Sequence, residues 1–369
     1  MRTPWRPLAI GAAAAAMALA GVAAPAFAGT TSCTPDVGGT GLSAAVVAHA
    51  HQRIANRTID ATGCDVGIYV GAAAPGVTIN HVSVTGAAAQ GIFAERTSHL
   101  RIQNSTVEHN GFGTVDESAP PLEGSGVHSY IGQAFAISVF GVTDAFISGN
   151  TVVDNGRGGI GIMDNGPFDP GAMMQNQNPS ASLVGSSDIT VVGNHMSADL
   201  NGCALVAATQ NLNGQLRNLR LIGNVITGTG VVPGLGGDVG GIVVAADLPG
   251  SSVRDVAVTA NHVSNSLEGG VIVNAEAPGS TTQNVRVVGN VLTGNNWGAQ
   301  EAPQTAGVIV FANPAAAGAP VPPRNIATSV IGNHMSAQFY GVWTMGPNRP
   351  VVRGNSISVT EGGVPISFN

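Results

Sequence analysis

Two acids stand at the same place in two neighbouring apolar phrases. In GIVVAAD (241–247) and GVIVNAE (270–276) an acid falls six residues after a glycine, giving Asp247 and Glu276. The same count reaches Asn165 from Gly159, with Asp164 one position earlier, Ala208 from Gly202 and Asn313 from Gly307. Paired carboxylates cleave glycosidic bonds, at separations of about 5–5.5 Å with retention or about 6.5–9.5 Å with inversion. Such oxygens also suit sugar hydroxyls or calcium, and no other cofactor is implied. Asp164, Asp247 and Glu276 are therefore the candidate catalytic residues. Arg157, Asp169 and Trp343 are candidate substrate contacts: a guanidinium for an anionic sugar, a loop carboxylate, and an indole to stack on a sugar ring. The competing reading is plain, with surface acids placed at strand ends for solubility.

A repeat decides which of these residues can meet. A phrase built on one asparagine recurs nine times, at Asn80, Asn104, Asn150, Asn194, Asn224, Asn261, Asn290, Asn333 and Asn355, with spacings of 22 to 46 residues. A short period with variable insertions is what a coil of strands gives when loops grow from some turns. Between these phrases lies a glycine followed by apolar residues: GIFA at 91, GIGI at 159, GCAL at 202, GIVV at 241, GVIV at 270 and 307, and GVWT at 341. In the second turn, GVHS at 126 or AISV at 136 fills that place. Both phrases are short, β-branched and bounded by Gly, Asn and Ser, so each turn holds at least two strands. Stacked asparagines at bends would form an amide ladder with a step of about 4.7–4.9 Å.

That step works as a ruler. Asp247 and Glu276, one turn apart, lie near ~5 Å; Asp164 and Asp247, two turns apart, lie near ~10 Å. His81, His195, His262 and His334 each follow a ladder asparagine. The closest are two turns apart, whereas ligands of one metal ion sit about 2.0–2.1 Å from it. They cannot share one ion. Loops at 165–186, 247–252, 274–284 and 312–325 all leave the same side and could wall a groove. By alternation, Phe93, Val243, Ile272, Ile309 and Trp343 face outward, an apolar row expected to lie under the long loops.

Composition narrows the class. The net charge is −7, charged residues make up 9% of the chain, and there is no lysine. Nucleic acid and anionic membrane need a basic face, so both are excluded as partners. Arg2 and Arg6, an apolar run from Leu8 to Ala20 and the small-x-small site Ala26-Phe27-Ala28 read as a secretory signal peptide cut after Ala28. Export permits a disulfide, and Cys33 with Cys64 is the expected pair; Cys203 is expected to be a buried thiol. Residues 29–75 are expected to cap the coil, with an amphipathic helix over 41–56, and 76–369 to form it.

The asparagine turns, the capping helix and the glycine strands resemble the right-handed parallel β-helix proteins of the pectin-lyase-like superfamily. The likeness spans roughly residues 40–369 and implies an all-β solenoid of about nine or more turns. The superfamily's lyases abstract protons with lysine or arginine beside calcium-binding acids, yet this chain has no lysine and no RxPxxR-like stretch. The NTD, DD and GHG motifs of polygalacturonases are missing. GPFDPG at 166–171 resembles the centre of the FDPH-type strand of mannuronan epimerases, with glycine where histidine belongs. Two expectations remain: an exported protein that binds or processes an extracellular polysaccharide, or a non-catalytic structural or adhesion-type repeat protein contacting a partner through its loops.

Overall fold

The computed structural model describes residues 32–112, 135–156, 158–166, 182–197, 202–229, 240–295 and 306–369. All lie in one compact unit, Thr31–Asn369. Its strands form a single parallel sheet of 28 members wound into a solenoid. Each turn contributes to three rows. The first row holds the glycine strands, from Ala44–Val47 through Gly158–Met163, Gly240–Ala246, Gly269–Ala275 and Ala306–Ala312. The second holds Ser98–Gln103, Thr143–Ser148, Ser186–Val192, Gln215–Ile222, Ser252–Thr259 and Thr281–Val288. The third is short, as in Thr151–Val153, His195–Ser197 and His262–Ser266.

The inward positions of all three rows make one core. Ile68, Ile92, Ile137, Ile160, Ile189, Leu219 and Val271 have no exposed surface. The first-row glycines exist because of that core. A Cβ on Gly241 would sit 2.2 Å from Val263, and one on Gly307 would sit 3.0 Å from Met335. In two turns alanine takes the place: Ile92 pairs with Ile137 and Ile160 with Leu205, so Ala136 and Ala204 align with the glycines. The second-turn strand is thus Phe135–Phe140, containing AISV; GVHS, the other option, lies outside the described residues.

Between the second and third rows each turn bends through one residue with positive φ, then an asparagine. Gly149, Gly193, Gly223, Ala260, Gly289, Gly332 and Gly354 take φ between 54 and 64°. The next asparagine points inward and hands its amide to the turn above. Asn150 Nδ2 donates to Asn194 Oδ1 at 2.9 Å, Asn194 to Asn224 at 3.0 Å and Asn224 to Asn261 at 2.9 Å. The chain continues through Asn290 and Asn333 to Asn355. Each Oδ1 also accepts a backbone N–H from the turn below, as Asn261 does from Asn224. Asn80 and Asn104 fall out of this line. Asn104 itself takes the positive-φ position (49°), so Ser105 fills the ladder and its N–H donates to Asn150 Oδ1. Asn80 lies in a strand and meets Asn104 at an exposed contact of 3.1 Å. A second corner, after the third row, uses the same device at Asn110, Asn155 and Asn295.

The expected capping helix over 41–56 is absent. Ala44–Val47 pairs with Val66–Val70, and Arg53–Asp60 pairs with Thr78–Thr85. The only helical turn nearby is Val37–Gly39. Helical spacing in an Ala- and Val-rich stretch is a weak signal, and an open strand edge beside β-branched residues overrides it. Cys33 and Cys64 are disulfide-bonded, with Cα atoms 5.6 Å apart. Cys203 precedes its strand and is half-buried rather than a core thiol.

Replacing Asn261 with alanine strands the Asn224 amides and removes a donor from the Leu221 carbonyl in the core, while Asn290 Oδ1 keeps the backbone N–H of residue 261. At about 1–3 kcal/mol for an unsatisfied buried group, Asn261→Ala should cost about 2–4 kcal/mol. Asn104→Gly keeps the positive φ and loses one exposed bond, so it should stay within about 0.5 kcal/mol. Urea unfolding of the two variants tests this ordering.

Candidate functional site

Register along the first row lines up the polar residues just beyond it. Thr209, Ala246, Ala275 and Ala312 are successive Cα partners, and Met163 pairs with Ala208. The residues that follow, Asn165, Gln210, Asp247, Glu276 and Asn313, therefore form one column up the edge. Ala208 does not belong to it, because Ala204 rather than Gly202 holds the glycine position in that turn. Asn165 and Gln210 are buried; Asp247, Glu276 and Asn313 are half-buried. Glu276 Oε1 accepts from Asn274 Nδ2 at 2.5 Å and Oε2 from Asn313 Nδ2 at 3.0 Å. Asp247 donates its backbone N–H to Thr209 Oγ1. Asp247 and Glu276 thus sit on adjacent turns at equal offset, about one interstrand step apart.

Asp164 sits in the neighbouring column, buried to 2% exposure. Its oxygens accept the Gln210 N–H at 2.5 Å and the Asn211 side-chain amide at 2.9 Å. It ties down the Gln210–Gly214 loop, and both of its oxygens are committed there. Burial pushes its carboxyl up to about 6, against the pull of the hydrogen bonds from Gln210 and Asn211. An unfolded aspartate titrates near 3.8. Between about pH 4 and 6 the folded state alone holds this proton, so Asp164 erodes stability as pH rises through that window and adds nothing further above it. At about 1.36 kcal/mol per unit, the loss is roughly 3 kcal/mol. Asp164→Asn should remove this component. The difference in melting temperature between variant and wild type, followed from pH 4 to 8, should grow up to pH 6 and then level.

A second polar cluster, unmarked by the repeat, lies at the other end of the same edge. Tyr69 Oη donates to Glu95 Oε1 at 2.6 Å, and Asn165 Nδ2 donates to Glu95 Oε2 at 2.8 Å. Arg96 Nε reaches Asn165 Oδ1 at 3.0 Å, and its Nη2 donates to the Ser182 carbonyl. Tyr69 and Glu95 are both 4% exposed. Burial first, and then the Glu95 charge, raise the Tyr69 hydroxyl well above its usual range, so it stays a donor. Beside them opens a cavity of about 320 Å³ walled by Gly71, Ala72, Ala73 and Ala74. Gly38 presses on this cluster, since a Cβ there would fall 1.8 Å from the tyrosine oxygen. A faint signal existed in GIFAER, where a charged pair ends an apolar strand. Tyr69→Phe should cost about 1–3 kcal/mol, because one oxygen of a buried carboxylate loses its donor; thermal unfolding measures it.

Trp343 does not present a ring to solvent. It is 1% exposed and stacks on Phe311 with centroids 6.2 Å apart. With Val206, Val243, Ile272 and Ile309 it forms a second apolar cluster on the outer face of the first row. That face is covered, and the sugar-stacking expectation fails on burial. Arg157 and Asp169 lie outside the described residues. His195, His262 and His334 share one third-row column with Val225 and Val291 between them. His81 takes a positive-φ bend. Among the described residues, no group of three His, Cys, Asp or Glu could hold a metal ion. No described helix is long and apolar enough to cross a membrane.

A coil of three parallel rows, cornered by buried amides and carrying its polar residues at row edges, defines a parallel β-helix protein. The chain belongs to the family of the right handed beta helix region, whose family model matches residues 38–169 and 66–246. No curated protein matches it. Among solved structures it is similar to the A-module of the Azotobacter vinelandii mannuronan C-5 epimerase AlgE4, at 17% identity and TM-score 0.51, over 89% of this chain and 72% of that one. The A-module of AlgE6 from the same organism gives 17%, 0.51, 89% and 74%. The Streptococcus pneumoniae surface adhesin PfbA aligns at 10% identity and TM-score 0.47, over 88% and 84%. At such identities the likeness to the epimerase modules establishes the fold alone.

Proposed function

We propose that this is an exported β-helix protein that binds an extracellular polysaccharide along the edge of its first row. The observation that carries this reading is the column Asp247, Glu276 and Asn313, half-buried and one residue per turn. It offers oxygens and amides at a regular step beside the Leu248–Ser251 and Ala277–Ser280 turns. Planar carboxylates and amides repeated along a line suit the hydroxyls of an extended glycan. Loops on a rigid scaffold are where binding residues collect. The leader-like residues 1–28 and the Cys33–Cys64 bridge support export. The epimerase A-modules are named for a polysaccharide, mannuronan. This chain has glycine where the histidine of that motif stands, so the epimerase chemistry does not carry over. If calcium takes part, the oxygens of Asp247 and Glu276 would be the donors this column offers it.

A second reading, hydrolysis, is favoured by one observation: Asp247 and Glu276 share their offset on adjacent turns. One step, about 4.7–4.9 Å, is close to the spacing of about 5–5.5 Å in retaining pairs and well below that of inverting ones. Glu276, with both oxygens already accepting amide hydrogens, would be the nucleophile and Asp247 the proton donor to the leaving oxygen. Asp164 takes no part, being buried and committed to its loop.

The test exposes the secreted chain to neutral and acidic polysaccharides, with reducing ends, unsaturated-uronate absorbance and binding followed together. Binding that drops at least tenfold in the Asp247→Asn, Glu276→Gln double variant, without turnover, establishes the binding site. Cleavage by wild type that is lost in each single variant establishes the hydrolase instead. Absence of binding to every glycan would overturn both, and would leave the non-catalytic protein that contacts a partner through its loops.

A further inference from the structure

We propose that a groove beside the second row binds the dianionic phosphate group of a phosphorylated sugar between Arg217 and Arg254. These two arginines are direct Cα partners on neighbouring strands, and both are exposed. Like charges placed opposite each other across such a step, about 4.7–4.9 Å, repel. Among the described residues neither makes an ion pair; the only pairs are His99 and Arg101 with Asp144. Asp188 and Asp255, which follow Ser187 and Arg254 in the chain, hydrogen-bond to other residues. Asp188 accepts from Asn218 Nδ2 and from Ser187 Oγ, and Asp255 from Asn284 Nδ2. Asp188 feels the Arg217 charge through space, yet among the described residues neither of these adjacent cations is held in an ion pair.

The space beside them fits a ligand. Arg217 and Arg254 line a cavity of about 520 Å³ with Thr143, Ser187, Asn213 and Gln215, and among the described residues no carboxylate lines it. Guanidinium groups present planar forks of donors that match phosphate oxygens. Two positive charges balance one phosphate monoester, which carries about −1.5 to −2 at neutral pH; a carboxylate would leave one of them unmatched. The hydroxyl and amide side chains around the pair suit the hydroxyls of a carrier sugar. Arg220 and Arg286, exposed on the same row, extend the positive field along the groove. The groove shares no residue with the edge column, so the two proposals can fail separately.

Titration calorimetry on the full chain at constant ionic strength decides the matter, with glucose 6-phosphate, glucose, inorganic phosphate and acetate as probes. Glucose 6-phosphate should bind with 1:1 stoichiometry, at least as tightly as inorganic phosphate. Acetate should bind more than tenfold more weakly, and glucose should give no signal in this groove. Arg217→Gln and Arg254→Gln should each weaken glucose 6-phosphate about tenfold or more without lowering the melting temperature, while Arg286→Gln should change the affinity less than threefold. Three results would overturn the proposal: no saturable binding, acetate equal to phosphate, or full affinity in a folded Arg217→Gln, Arg254→Gln variant. Binding of inorganic phosphate without glucose 6-phosphate would overturn the sugar ester as occupant and leave a free-anion site.

Discussion

A parallel solenoid stands or falls on whether each turn closes in register with the turn below, and here that register is held at the corners. At a corner the backbone must reverse direction while its N–H and C=O groups stay buried, where an unpaired group costs about 1–3 kcal/mol. Asparagine solves this because its side chain is itself an amide. Asn224 donates to the Val191 carbonyl and to Asn261 Oδ1, while its own Oδ1 accepts from Asn194. The residue before it must take a positive φ, which glycine does without strain and Ala260 does at a cost of roughly 1–2 kcal/mol. A neighbouring bend in the second row meets the same demand in another way. His99, Asp144, Asp188, Asn218, Asp255 and Asn284 all take φ between 53 and 60°, and Asn and Asp are the residues that tolerate this region best.

Once the corners are fixed, the faces are free to differ, and the polar residues follow that freedom. The outer face of the first row is apolar and buried, from Val206 to Trp343, so it cannot meet solutes. Polar groups gather along its margin instead, where the backbone leaves the strand. Two kinds of polar residue appear there. Glu95 and Asp164 are buried, saturated by Tyr69, Asn165, Gln210 and Asn211, and they fasten loops to the coil. Asp247, Glu276 and Asn313 are half-buried and can meet a ligand. Burial, more than residue type, separates fasteners from contacts.

The same physics explains what was legible in the sequence. The corner phrase could be read because its requirement is local: a positive-φ residue, an amide, and a strand on each side. It misplaced Asn80 and Asn104 because other residues can also fill the corner: Ser105 follows Asn104 there and Val82 follows His81, its N–H donating to Ser105 Oγ, and neither carries a signal of its own. The edge column could be counted wherever the glycine marked the strand, and the count slipped by two at Gly202 because alanine held that role. Contacts across turns could not be read. Arg96 and Asn165 are 69 residues apart, and Arg217 and Arg254 are 37 apart, separations set by inserted loops. The N-terminal strands were hidden for a related reason, since Ala44–Val47 is a strand only because Val66–Val70 offers it an edge.

Loop length is free to vary while the coil keeps its register. Successive corner asparagines are 22 residues apart where no loop intervenes and up to 44 apart where one does, yet Asn150, Asn194 and Asn224 meet at 2.9–3.0 Å throughout. The energy of a solenoid is close to a sum over neighbouring turns, and doubling a loop adds only about 0.6 kcal/mol of closure entropy. A ladder bond retained at every corner outweighs that increment. Insertions can then accumulate at the two ends of the first-row strands without disturbing the stack. The edge column and the arginine groove both adjoin loops that leave the first row. In this architecture ligand preference is free to change through those loops, while the register that aligns Asp247 with Glu276 and Arg217 with Arg254 stays fixed.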